Sequence, residues 1–129
     1  MPKTKQHQDK ADRNRAFLDS ISANGPPEWM ATVAFYVAVH LVEKLRAYQG
    51  EHSTNHKERC AAVRKQYRGI HLEFHQLYEI SRLARYGTTS QFTLTVSDVQ
   101  SLHIDKYLVA IEKYVAAETA RRAPSQASD

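Results

Sequence analysis

Every glycine in this chain, and every proline away from its ends, falls between stretches whose apolar residues recur at steps of three and four. The glycines are Gly25, Gly50, Gly69 and Gly87, and the prolines Pro2, Pro26, Pro27 and Pro124. Glycine is favoured just past a helix end and proline just inside a helix start. Read as punctuation, these residues divide the chain into five helical segments and predict an all-α fold. With 129 residues there is room for one core and not comfortably for two. The expected domain spans residues 9–122, with residues 1–8 and 123–129 disordered.

The first segment covers residues 9–22. The second, 27–49, is the longest: Trp29, Val33, Tyr36, Val37, His40, Leu41, Lys44, Leu45 and Tyr48 make one stripe. Ala31, Ala34 and Ala38 leave a second side thin, which places this helix centrally. Ser53 or Thr54 is the candidate cap of a third helix, with Cys60, Val63 and Tyr67 inward. Gly69 marks a bend before a fourth helix with Ile70, Phe74, Leu77, Ser81 and Ala84 inward. Residues 88–96 alternate like a strand. No second strand is at hand, so an extended loop pinned by Phe92 and Leu94 is expected. Ser97 and Gln100 resemble a capping box opening a fifth helix, with Ile104, Leu108, Ile111 and Val115 inside. The simplest packing is an antiparallel bundle of four long helices plus a shorter N-terminal helix.

The net charge of +4 is concentrated. Residues 57–85 hold seven basic side chains (Lys57, Arg59, Arg64, Lys65, Arg68, Arg82, Arg85) against three acidic ones (Glu58, Glu73, Glu79). The rest of the chain carries eleven of each sign and balances. A local basic field favours polyanions such as RNA or nucleotides, or acidic protein faces. The basic start lacks an apolar stretch behind it, so no secretory signal is expected, and no apolar run is long enough to span a membrane. A single cysteine, Cys60, fits a reducing, cytoplasmic setting.

No phosphate-binding glycine loop, zinc-type cysteine pair or nucleophile elbow occurs. The chemistry rests on histidines, arginines and tyrosines at helical spacing. Tyr36 and His40 lie one turn apart on the second helix. His71, His75, Tyr78, Arg82 and Arg85 follow one another along one side of the fourth, a surface suited to phosphate and to base stacking. His56 and Arg59 share the first turn of the third helix, where they can bind a phosphate or serve a structural cap. His71 with His75, and His52 with His56, have the spacing of paired metal ligands. A zinc site needs further ligands, so no metal and no cofactor are expected.

Phe35-Tyr36-Val37-Ala38-Val39-His40 resembles the "YYAAFH"-like segment of HEPN domains (higher eukaryotes and prokaryotes nucleotide-binding domains). Ser53-Thr54-Asn55-His56 resembles the "SH" that opens their next helix. Ser81-Arg82-Leu83-Ala84-Arg85-Tyr86 is similar to the "R-x-x-A-D-Y" that closes the following hairpin, with Arg85 in the place of Asp. The resemblance implies a short helical bundle that often dimerises, and roles in RNA cleavage, nucleotide binding or prokaryotic defence and toxin systems. Ribonuclease members carry an arginine followed after four to six residues by a histidine, which acts in acid–base attack by the RNA 2′-hydroxyl. Arg64 with His71, Arg68 with His75 and Arg46 with His52 have such spacing. None has the usual Asn after the arginine, so the match is closer to members without a known catalytic motif.

Two functions follow as expectations. The first is a homodimeric HEPN-like domain binding RNA or a nucleotide through Tyr36, His40, His56, Arg59, Tyr78, Arg82 and Arg85. If it is catalytic, it is a metal-independent endoribonuclease using Arg68 and His75, with His71 in reserve. The second is a non-catalytic interaction subunit that pairs with an antitoxin or a nucleotidyltransferase. Convergence of Tyr36, His40, His56, Arg59 and Arg82 in one pocket favours the first, and dispersal favours the second.

Overall fold

The computed structural model describes residues 2–22, 24–86 and 94–127, and the described elements are all helical. They are α1 (Pro2–Ile21), α2 (Pro27–Tyr48), α3 (His56–Gln66), a 3₁₀ turn (Arg68–Ile70) and α4 (His71–Tyr86). A final helix, α5, runs through three windings: a first turn (Val96–Asp98), a π-wound stretch (Val99–Leu108) and an α-helical remainder (Val109–Ala127). None of the described helices is long and apolar enough to cross a membrane.

α2 is the axis of the fold, packing against α1, α4 and α5. Pro27 sits in its first turn, where a missing N–H costs nothing. Its end is a Schellman motif. The Gly50 N–H donates to the Ala47 carbonyl and the Glu51 N–H to the Arg46 carbonyl, both at 3.0 Å. Gly50 has φ 73°, a conformation that L side chains rarely adopt. Met30, Val37, Val42 and Leu45 of α2 are buried with Leu18, Phe74, Leu77, Ile104, Leu108 and Ile111. Burial of each such side chain contributes about 1.5–3 kcal/mol. The inward residues read from the sequence of α4 and α5 hold, with Ala84 only partly buried. Two members of the α2 stripe differ: Trp29 and Tyr36 are 60% and 40% exposed.

Other boundaries differ from the sequence reading. α1 starts at Pro2 rather than residue 9 and has 20 residues, against 11 in α3, so the short helix is the third and not the first. Its early turns lack an apolar stripe and are held by Lys5–Asp9 and Gln8–Asp12 contacts at four-residue spacing. The cap of α3 is Asn55, whose side chain accepts from the Glu58 N–H at 2.8 Å, while Thr54 bonds the Glu58 carboxylate. α5 opens on Thr95, which accepts from the Asp98 N–H at 3.1 Å, so the Ser97–Gln100 box does not form. Gln100 instead bonds Ser22 and Asp105. α5 reaches Ala127, past the expected end at residue 122. Phe92 and Gly87 lie outside the described residues. Leu94 and Val96 pack partly against the core.

The π winding was not foreseen. The Val109 N–H reaches the Ile104 carbonyl, five residues back. Val99, His103 with Ile104, and Leu108 are buried at steps of four and five, which a π turn puts on one face.

Candidate functional site

Phe35 of α2 is the hub of an aromatic cluster. Its ring centroid lies 5.6 Å from those of Phe74 and Tyr78 on α4 and 5.7 Å from that of His56 on α3. His56 lies flat on Tyr78, with centroids 3.6 Å apart and planes 16° apart. Asn55 fixes this geometry by setting where α3 begins. His56 Nε2 is 3.2 Å from Cys60 Sγ, and its Nδ1 is buried without a hydrogen-bond partner among the described residues. Burial, with the Arg59 and Arg85 charges, pushes the imidazole below its usual pKa, so the stacked ring is neutral at pH 7. Burial pushes the Cys60 thiol up, away from the thiolate.

Arg85, near the end of α4, borders this cluster. Its guanidinium donates to the Ser81 carbonyl at 3.2 Å and to Ser81 Oγ at 3.1 Å. It lies 6.0 Å from the Tyr36 ring centroid and 5.3 Å from that of Tyr86. The side chain is braced from beneath by a buried serine yet remains exposed.

A second polar cluster lies where α1, α2 and the α2–α3 loop meet. The Glu43 side chain is only 4% exposed. Arg59 Nε donates to its Oε2 at 2.9 Å, and the Ser53 N–H donates to its Oε1 at 3.1 Å. Burial alone would raise this carboxyl, but the Ser53 and Arg59 hydrogen bonds outweigh it and hold it below the usual carboxylate range. His52 Nδ1 stands 3.7 Å from Glu43 Oε1. His7 Nδ1 and His40 Nδ1 are 3.2 Å apart. Burial, with the His7, Lys10 and Arg59 charges, lowers His40 to about 4, and burial lowers His7 as well. Lys10, Arg13 and Asn14 join His40 around an open cavity of about 420 Å³.

The expected site residues thus divide. Tyr36, His56, Tyr78 and Arg85 come together, while His40 and Arg59 belong to the Glu43 cluster. The Arg59 guanidinium is engaged by Glu43, the structural alternative left open for it. Arg82 is half exposed, with its Nη2 3.4 Å from Glu79 Oε2. Arg68, His71 and His75 are exposed. The His71 and His75 rings are 6.5 Å apart, and among the described residues no hydrogen bond, ring contact or ion pair links Arg68 to His75. His7 and Glu43 were missed. The one signal for Glu43 was a carboxylate within a helix that is otherwise apolar around most of its circumference. His7 gave none, because its segment has no apolar period.

Comparison with family profiles, with characterised proteins and with solved structures finds no match to this chain.

Proposed function

We propose that the chain is a HEPN-like helical domain that binds RNA or a nucleotide at the junction of α2, α3 and α4. The observation that carries this reading is the meeting of Tyr36, His56, Tyr78 and Arg85 from three helices. Arg85 offers an exposed guanidinium for phosphate, and Tyr36 beside it an exposed ring for a base. The three HEPN-like sequence segments supply three of these four residues: Tyr36 comes from the first, His56 from the second and Arg85 from the third. The family resemblance also favours a homodimer and a role in prokaryotic defence or toxin systems, simple helix packing favours an antiparallel bundle, and the single cysteine favours a cytoplasmic setting. If the chain cleaves RNA without metal, the work falls to Arg68 and His75, with His71 in reserve, and a second copy has to complete their site.

The test is binding of short RNAs and of nucleotides to the full chain across a salt series. Affinity should fall steadily with salt, and Arg85→Ala should weaken binding by about tenfold, the loss of a charged contact worth about 1.4 kcal/mol. A flat salt response, or an Arg85→Ala variant that binds like the parent, overturns this reading. The dispersal of His40 and Arg59 to the Glu43 cluster and of Arg82 to the solvent side, with the exposure of Trp29 and of Phe17 (50%), favours the second reading, an interaction subunit for an antitoxin or a nucleotidyltransferase.

A further inference from the structure

We infer that His7, Glu43 and His52 form a binding site for a divalent transition-metal ion of the zinc class, with His40 beside it. This goes beyond the ligand reading above and does not rest on it. The three side chains come from α1, α2 and the α2–α3 loop, and each offers one donor atom within 4.8 Å of the others.

The His52–Glu43 separation is close to that of co-ligands, and the His7 ring is held beside them by a hydrogen bond between its Nδ1 and His40. His52 Nδ1 is 3.7 Å from Glu43 Oε1, too far for a hydrogen bond. His7 Nδ1 is 3.2 Å from His40 Nδ1. Donors on a tetrahedral ion with bonds of about 2.0 Å lie about 3.3 Å apart. Two imidazoles and one carboxylate are a known zinc donor set that leaves a position open for water or substrate. Nitrogen donors also select against magnesium and calcium, which prefer oxygen. His40 stands outside this donor set and orients the His7 ring through the 3.2 Å contact between their Nδ1 atoms.

The surroundings orient the carboxylate. Arg59 holds Oε2 at 2.9 Å, which turns Oε1 towards His52, and the Ser53 N–H fixes Oε1 at 3.1 Å. Hydrogen bonds of this kind to a ligating carboxylate set its direction and support metal affinity. Among the described residues nothing comparable surrounds His71 and His75, whose exposed rings share one side of α4. They are the internal control, because their spacing alone could capture a metal.

The experiment uses tag-free full-length protein stripped with a chelator and titrated with Zn²⁺ by calorimetry, and with Co²⁺ by visible absorption. One equivalent should bind with micromolar or tighter affinity, and Co²⁺ should give the d–d bands of a four- or five-coordinate site. His52→Ala should lower affinity at least tenfold. Its side chain is 61% exposed, so its removal leaves the fold intact even if Glu43→Gln does not. His7→Ala should match it, and His40→Ala should weaken binding as well. The double variant His71→Ala/His75→Ala should bind like the parent. Absence of binding below about 100 μM, an unchanged affinity in His52→Ala, or loss of binding in the His71/His75 double variant overturns the inference.

Discussion

The outer side of α4 and the junction of α2 with α3 hold the same kinds of residue and differ in how those residues are held. On α4, His71, His75 and Arg82 follow one another at helical spacing and are exposed, and Arg82 has only a surface ion pair with Glu79. At the junction, His56, Arg59 and Arg85 each meet a partner from another helix: Tyr78, Glu43 and Tyr36. Helical spacing makes a face. A site needs contacts that cross between elements, because only those hold a side chain in one rotamer against the entropy of letting it move.

The largest expected break in this contrast is Arg59→Ala. It leaves the Glu43 carboxylate buried with the Ser53 N–H and without its cation. Removing one partner of a buried pair costs about 3 kcal/mol or more. Chemical denaturation should show that loss as a lower midpoint with an unchanged slope. A loss under about 1 kcal/mol would reduce the Glu43–Arg59 pair to a surface contact and erase the difference between the two regions.

Acid should then act on the junction. Unfolded, His40 takes up its proton near its ordinary value of 6.5; folded, it stays neutral down to about 4. Between those values the unfolded chain binds more protons, so stability is full above the upper value and falls as pH drops towards the lower one. His7 is shifted in the same direction and adds to the loss. Glu43, lowered in the fold, extends the decline when its carboxylate is finally protonated. After allowance for solvent screening the His40 contribution is on the order of 2 kcal/mol. Urea midpoints measured from pH 7 to pH 4 should trace it, and His40→Gln should flatten the curve. An equally steep curve in His40→Gln would assign the acid response elsewhere.

Tyr78 carries the next effect. Its ring covers His56, and aromatic stacking contributes about 0.5–1.5 kcal/mol beyond burial. Tyr78→Leu should therefore cost about 1 kcal/mol and weaken nucleotide binding, whereas Tyr78→Phe should do neither. If Tyr78→Phe loses affinity as strongly as Tyr78→Leu, the hydroxyl and not the stack is the working group.

These residues also show which parts of the molecule its sequence announced. The all-α fold was legible because Gly50 and Gly69 interrupt strong apolar periods. Gly69 marks a close approach as well as a bend, since a Cβ there would stand 2.9 Å from the Tyr114 ring. The cluster of Tyr36, His56, Tyr78 and Arg85 was legible as residue types in order, although their meeting across three helices was not. The Glu43 cluster was illegible because its members come from α1, α2, the α2–α3 loop and α3 and share no helical spacing. His7 sits in a polar stretch whose helix depends on α2 for its packing. The π winding of α5 escaped for a related reason: buried residues at steps of four and five look like an ordinary helical stripe with one residue out of place.

The smallest expected effect is the one that sharpens the contrast most. Arg82 and Arg85 are three residues apart on α4, both exposed and both cationic. Arg82 is tied to Glu79 at 3.4 Å on the solvent side, and Arg85 is braced by Ser81 beside Tyr36. Exposed ion pairs contribute about 0–1 kcal/mol, so Arg82→Ala should change stability by less than about 0.5 kcal/mol. Its effect on RNA affinity should be that of one distant charge, about twofold at low salt and vanishing as the Debye length shrinks to about 8 Å at physiological ionic strength. Arg85→Ala should keep most of its tenfold loss at that same ionic strength, because a direct contact is screened less than a field. Parallel titrations of the two variants at low and physiological salt make the comparison. Equal losses at both salts would mean that the whole basic face binds and that the junction of α2, α3 and α4 holds no discrete site.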